Sequence, residues 1–540
     1  MTMTRQEFLR RVSGLALPLP AFGLGALSAI GAETGRAVGP VAGGFNVRRF
    51  GARGDGRTKD TRALQAAIEA AGKGGGTVYF PPGRYLAGTL RLCSHVSIHL
   101  DAGAVLVASH DPGDFDPYEK LSYQSYADEE TTDFHSAQVR GQDVEHVSIL
   151  GQGTIDGNRR KRGGPKPIAL KNCRHIAVRD ITLQHSPNYN ISLLGCDHVD
   201  ISGVSILNGY CDGIDPDCSR FVRIANCYVE SWDDAIVPKA SYALGYRRST
   251  ENVTVTNCVL TTGCNALKLG TEASGDFKNI AFSNCTIFAR PDLWKRGPTS
   301  GVSLEMVDGG VIDRVVVENL AMVDVRAPIF IRLGNRGRAQ NPPQPGRLEN
   351  VSIANITATG AVWASSITGI PGHPVRRVTL RGVRCTAQGG GAAALAAAAV
   401  PEQEDGYPDA GRFRDLPAYG LYCRHVEGLT LDDVKLHAER PDGRPALVIE
   451  DGGDVDLRGL HGDPPEGAEA VFALRDVRAC LVSGSRAPTG TRTFIQLRGP
   501  RTARVRAVGN DLTAAATPFT LADDVPKDAL RQEANLGPAR

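Results

Sequence analysis

Two acidic clusters lie within the stretch YCDGIDPDCSRFVRIANCYVESWDDAIVPK, Tyr210 to Lys239. The first holds Asp212 and Asp215, the second Asp233 and Asp234. Between them FVRIANCYV alternates apolar and polar side chains, the period of a β-strand. Asp-Gly and Asp-Pro steps are ordinary turn chemistry, and a single Asp-Asp pair is ordinary on a solvated loop. Asp212 and Asp233, however, are 21 residues apart, close to one coil of a β-solenoid, in which neighbouring strands stack about 4.8 Å apart. That spacing projects both clusters from one wall. Several carboxylates gathered in one cleft are what acid/base hydrolysis of a glycosidic bond requires.

The elements that must position these residues are visible as a repeat. From Val147 a phrase of the form polar-x-apolar-x-apolar-x-x-apolar recurs as RHIAVRDITL, DHVDISGVSI, RFVRIANCYV, ENVTVTNCVL, KNIAFSNCTI, DRVVVENLAM, ENVSIANITA, RRVTLRGVRC and EGLTLDDVKL. Its first apolar members are Ile176, Val199, Val222, Val253, Ile280, Val315, Val351, Val378 and Leu429. One short strand per coil, with length variation confined to turns, marks a stacked solenoid. The reading is therefore all-β: a right-handed parallel β-helix with a short N-terminal capping helix. That helix is expected after Asp60, as its N-cap, through Ala63, Leu64, Ala67, Ile68 and Ala71 to Gly72. It would cover the otherwise unpaired first coil. The acidic, aromatic run His110–Gln138 and the stretch Gly389–Pro417 are long insertions expected to wall or block one end of the cleft.

Residues 1–40 read as an export signal and linker, 41–513 as one β-helix domain, and 514–540 as a C-terminal tail. The N-terminus places Arg5, Arg10 and Arg11 before an apolar Gly/Ala/Pro-rich run, which points to a periplasmic or extracellular protein. The order Arg5, Gln6, Phe8, Leu9 is like a twin-arginine signal with Gln6 at the second arginine. The formal net charge of +2 gives no case for nucleic acid, and no late apolar run is long enough for a membrane span. Of the twelve cysteines, Cys173, Cys196, Cys227, Cys258 and Cys285 sit at fixed offsets from the strand positions and read as free thiols in an interior ladder. Cys211 and Cys218 flank the acidic turn closely enough to pair. No Cys-x-x-Cys or Cys/His spacing indicates zinc, so no metal or cofactor is expected. A monomer is expected.

The module GDGRTKDTRALQAAIEAAGKGGGTVYFPPGRY, the acidic core and LPAYGLYCRHV together resemble glycoside hydrolase family 28, the polygalacturonase-like parallel β-helix enzymes. The resemblance implies an inverting hydrolase acting on a pectin-like polysaccharide or oligosaccharide. It implies Asp233 as general acid, with Asp212 and Asp234 activating water on the opposite face of the sugar. Asp215, Lys239, Lys268, Glu272, Trp232, Glu305 and Arg332 are candidates for binding substrate, and Tyr189, Tyr210, Tyr242, Tyr246 and Trp294 are further aromatic candidates for stacking on sugar rings. His425 in YCRHV reads as structural.

Two departures bear on the substrate. The family's Gly-His-Gly stands here as Gly263-Cys264-Asn265, and its carboxylate-holding Arg-Ile-Lys as Ser303-Leu304-Glu305. A glutamate repels a uronate, so either the sugar at the cleavage subsite is neutral or deoxy, or Lys239, Lys268 and Arg332 rebuild the anion site. Two other classes remain open: a polysaccharide lyase on the same fold, with Lys239 or Lys268 as base, and a non-catalytic carbohydrate-binding solenoid.

Overall fold

The computed structural model describes residues 44–293, 297–413, 415–467 and 470–538. The expected export signal and Trp294 lie outside the described residues. Gly44–Arg540 forms one compact unit.

The chain is a parallel β-helix, every named strand pairing in parallel with its neighbours. The repeat read from the sequence is the stacking register itself: Ile176 pairs with Val199, Val199 with Val222, Val222 with Val253, Val253 with Ile280, Ile280 with Val315, Val315 with Val351, and Val351 with Val378. Each is at most 3 % exposed, and together with their neighbours they form one continuous core column. Parallel stacking forces like side chains onto like, which is why the same apolar positions recur. The corners are left-handed backbone positions. Asn226, Asn257, Asn284, Asn319 and Asn355 all take positive φ there, a conformation asparagine tolerates. The last three are linked side chain to side chain, Asn319 donating to Asn284 at 3.0 Å and Asn355 to Asn319 at 3.1 Å.

The capping helix runs Thr61–Gly72, with Leu64, Ala67, Ile68 and Ala71 buried. Asp60 makes no side-chain cap; its carboxylate instead accepts the Arg53 and Gly54 amides at 2.7 and 2.9 Å, closing the preceding turn. All twelve cysteines are free, Cys211 and Cys218 included, and ten are buried. The expected tail is not separate from the helix: Ala515–Leu521 pairs with Thr491–Arg498, and Leu530–Glu533 with Ala503–Val508. Its few apolar residues are spaced too irregularly to reveal this. Among the described residues no helix is long and apolar enough to cross a membrane.

One wall of the solenoid carries the acidic residues. Its strands Leu90–Arg91, Ala137–Gln142, Lys166–Lys171, Ile191–Leu194 and Ile214–Asp217 pair in succession. Single bridges Ile214–Ile236 and Ile236–Leu267 carry the wall onward. Asn265–Leu269, Ser300–Met306, Ala327–Leu333 and Ser365–Thr368 extend it, and the last pairs in turn with Leu421–Asp432.

Candidate active site

The bridges fix which side chains share the wall. Residues two before Ile214, Ile236 and Leu267 are Asp212, Asp234 and Asn265, so these three stack on successive coils. Gly213 is required beside Asp212: a Cβ there would lie 2.3 Å from the Ala235 carbonyl oxygen. Asp212, Asp233 and Asp234 all line one small cavity of about 170 Å³, with Asp128, Glu130, Arg162, Tyr189, Lys239, Lys268, Glu272 and Tyr407 among its walls. Pockets that engulf a drug-sized ligand run to roughly 300–1,000 Å³, so this cavity accommodates a sugar at a reacting bond rather than a chain.

Two buried lysines organise the carboxylates. Lys239 Nζ lies 2.8 Å from Asp212 Oδ2 and 2.6 Å from Asp215 Oδ1, and 3.9 Å from the centre of the Tyr189 ring. Lys268 Nζ lies 2.9 Å from Asp234 Oδ2 and 3.7 Å from Glu305 Oε2. Asn265 adds two hydrogen bonds to Asp234 Oδ1, from its backbone N–H at 3.0 Å and its side chain at 2.8 Å. Asp233 differs. Its side chain is 29 % exposed, and its cation is Arg162, 2.7 Å away and itself 47 % exposed. Arg162 also pairs with Glu130.

These surroundings push the groups apart. Burial raises Asp212 well above the usual carboxylate range and Asp215 to about 6, against the pull of Lys239. Burial also acts to raise Asp233, but Arg162 and then Lys268 outweigh it and hold that carboxyl below its ordinary value. Burial disfavours both ammonium groups, yet Asp212 and Asp215 hold Lys239, and Asp234 and Glu305 hold Lys268, well above the ordinary lysine value. Burial raises Glu305 to about 7. Its Oε1 accepts from Ser303 at 2.6 Å, and its Oε2 has no hydrogen-bond partner among the described residues.

The other candidates divide. Lys239, Lys268 and Glu272 reach the cavity; Asp215 and Glu305 lie behind it, bound to the two lysines. Glu272 anchors the first insertion, accepting from Thr131 at 3.1 Å and from the Asp128 amide at 3.3 Å. Trp232 is 53 % exposed, stands beside Asp233 and packs on Tyr210, ring centres 5.3 Å apart. Arg332 does not reach the cavity. It is 1 % exposed, and its guanidinium donates to the carbonyls of Gly369, Glu402 and Gln403. The expectation that it binds substrate is therefore corrected: it pins the second insertion. His425 bonds to Asp451 at 2.7 Å, a structural contact. Sequence reasoning missed Arg162, Asn265 and Tyr407. Arg162 lies in the basic run Arg159-Arg160-Lys161-Arg162, a signal that was available. Tyr407 comes from an insertion without repeat, and no local pattern marks it.

The family model described as glycosyl hydrolases family 28 matches residues 119–402. One described as rhamnogalacturonase A/epimerase, pectate lyase-like, matches residues 44–100. A probable polygalacturonase of Vitis vinifera is 26 % identical over 364 residues, 62 % of this chain and 72 % of that protein. An exo-poly-alpha-D-galacturonosidase of Dickeya chrysanthemi is 23 % identical, over 60 % of this chain and 64 % of its own length. Two solved structures share the fold. The exopolygalacturonase of Thermotoga maritima has a TM-score of 0.54 at 21 % identity, over 63 % of this chain and 86 % of that one. The family 28 exopolygalacturonase of Yersinia enterocolitica has 0.56 at 18 %, over 80 % and 78 %.

Proposed function

Since the chain belongs to the family 28 glycosyl hydrolases and is a glycosidase of the polygalacturonase type, we propose that it cleaves a pectin-like polysaccharide by inverting acid/base hydrolysis. Asp233 is the acid that protonates the leaving oxygen, and Asp212 and Asp234 activate the water. The observation that carries this is the unequal partnering of the three carboxylates. Asp212 and Asp234 each hold a buried lysine at 2.8–2.9 Å, and at Asp212 that ammonium works against the burial that raises the carboxyl. Asp233 is the more exposed group, and its guanidinium partner sits on an exposed loop where an incoming sugar displaces it. Once Arg162 leaves, burial acts on Asp233 with one opposing cation fewer, raising its pKa toward that of a proton donor.

The sugar at the cleavage subsite is neutral or deoxy. By the sequence resemblance Glu305 stands where the family holds a cation, and both lysines are already bound to carboxylates. Acidic residues of the polysaccharide are accommodated outside that subsite. Arg160 and Lys161 are exposed on the loop that carries Arg162, along a groove of about 600 Å³ with His110 and His185. A lyase mechanism is disfavoured because neither buried lysine offers a neutral amine. The charged-then-apolar N-terminus supports export.

One distance favours a second reading. Carboxylate oxygens of Asp212 and Asp233 lie within 4.8 Å of each other, whereas inverting pairs usually stand about 6.5–9.5 Å apart and retaining pairs about 5–5.5 Å. Proton NMR of the first products, taken faster than they mutarotate, separates the two. Inverted anomers uphold the proposal, and retained anomers would make one aspartate a nucleophile.

A further inference from the structure

On the C-terminal coils, away from the residues lining the cleft, three side chains converge that the proposed reaction does not use. Lys435 and Leu436 pair in register with His461 and Gly462, which sets His437 against Asp463 across one coil step. His437 Nδ1 lies 3.1 Å from Asp463 Oδ1. The His437 and His461 rings are 5.2 Å apart and inclined at 46°. One ligand atom from each of the three residues falls within 4.8 Å of the others. From this geometry we propose that His437, His461 and Asp463 bind one divalent transition-metal ion of the zinc class.

Several features suit an ion better than a simple hydrogen-bonded pair. Two imidazole nitrogens and one carboxylate oxygen are a donor set for zinc, nickel or copper rather than for magnesium or calcium. Bonds of about 2.0–2.2 Å place tetrahedral ligand atoms roughly 3.3 Å apart, and the His437–Asp463 separation already matches. A ring nitrogen of His461 lies within 4.8 Å of both, so a small inward movement would close the triangle. Supporting contacts are built in. The Ala438 amide donates to Asp463 Oδ2 at 2.9 Å and leaves Oδ1 facing His437. The Tyr419 hydroxyl contacts the Leu436 and Asp463 carbonyls at 3.0 and 3.2 Å, tying the two coils together. Second contacts of this kind fix ligand orientation in metal sites. The nearby Lys435 ammonium is directed to Asp433, 3.4 Å away. Partial exposure, 40 % for His437 and 37 % for Asp463, leaves a path for the ion and a position for water. Contiguous-motif reasoning does not find such a site, because the ligands come from adjacent coils.

The test is calorimetric titration of zinc chloride into the metal-free full chain, with magnesium chloride as comparison, and thermal melting with and without zinc. Wild type is expected to bind one equivalent of zinc, to gain melting temperature and to ignore magnesium. His461→Ala should weaken zinc at least tenfold and abolish the thermal gain. The second variant, Asp463→Asn, should do the same. His175→Ala, in the separate exposed column His146–His175–His198, should behave as wild type. The proposal is overturned if wild type binds no zinc, if His461→Ala and Asp463→Asn bind as tightly as wild type, or if His175→Ala alone removes binding.

Discussion

Replacing Arg162 by alanine tests which aspartate is the acid. At 2.7 Å and an effective dielectric constant of 20, the pair interaction has a ceiling of about 6 kcal/mol. The guanidinium is 47 % exposed, so solvent screening removes most of that. A residue of about 1.4 kcal/mol corresponds to one pKa unit, the low end of the range of roughly 1–3 units for a carboxyl beside arginine. Burial is the main influence opposing Arg162 at Asp233, so the pKa rises when Arg162 is lost. The kcat/KM profile reports the free enzyme, in which the ion pair is intact. An acid works only while protonated, so its pKa sets the alkaline limb. Arg162→Ala should therefore move the alkaline limb up by about one pH unit. Raised salt should shrink the difference between variant and wild type, because the pair is partly exposed. Arg162→Lys, which keeps the charge, should move it less. Initial rates across the pH range on a cleaved glycan give the answer. If the alkaline limb stays and the acidic limb moves instead, Asp233 acts as an ionised base and the assignment fails.

Other outcomes follow from the same contacts. Lys268→Met leaves Asp234 and Glu305 buried without their cation and should cost about 3–5 kcal/mol of stability in denaturant unfolding; adding Glu305→Gln should restore part of it. Glu305, raised from 4.5 to about 7 in the fold, binds its proton more tightly folded than unfolded. Its destabilising effect therefore grows as pH rises through that window, to about 3 kcal/mol, and Glu305→Gln should flatten the stability–pH curve there. Trp232→Ala should raise KM about tenfold, equivalent to about 1.4 kcal/mol of sugar stacking, with little change in kcat. Arg332→Ala should lower kcat/KM by loosening the insertion that delivers Tyr407, while Arg332→Lys rescues part of the loss.

The solenoid was legible because parallel stacking imposes identical requirements on each coil: Val222, Val253 and Ile280 recur since each rests on the last. The carboxylate cluster was legible for the same reason, one coil of spacing turning sequence distance into contact. Much of what escaped lies where no repeat constrains the chain. Tyr407 and the Glu402–Gln403 carbonyls that hold Arg332 belong to an insertion whose path is set by tertiary contacts alone. Arg332 itself followed the strand pattern, but its wall position did not reveal that an insertion would cover it. The strands Ala515–Leu521 and Leu530–Glu533 were hidden because the final coils present few buried side chains.

Asp233 is proposed to donate a proton during hydrolysis. Purified wild type and Asp233→Asn, incubated with pectic, rhamnogalacturonan and neutral polysaccharides in water enriched in heavy oxygen, give the most direct test by product mass and ultraviolet absorbance. Wild type should release saturated fragments carrying one labelled oxygen each, and Asp233→Asn should be slower by about 10²–10⁴-fold. Unsaturated, ultraviolet-absorbing products, or an Asp233→Asn variant as fast as wild type, would contradict it.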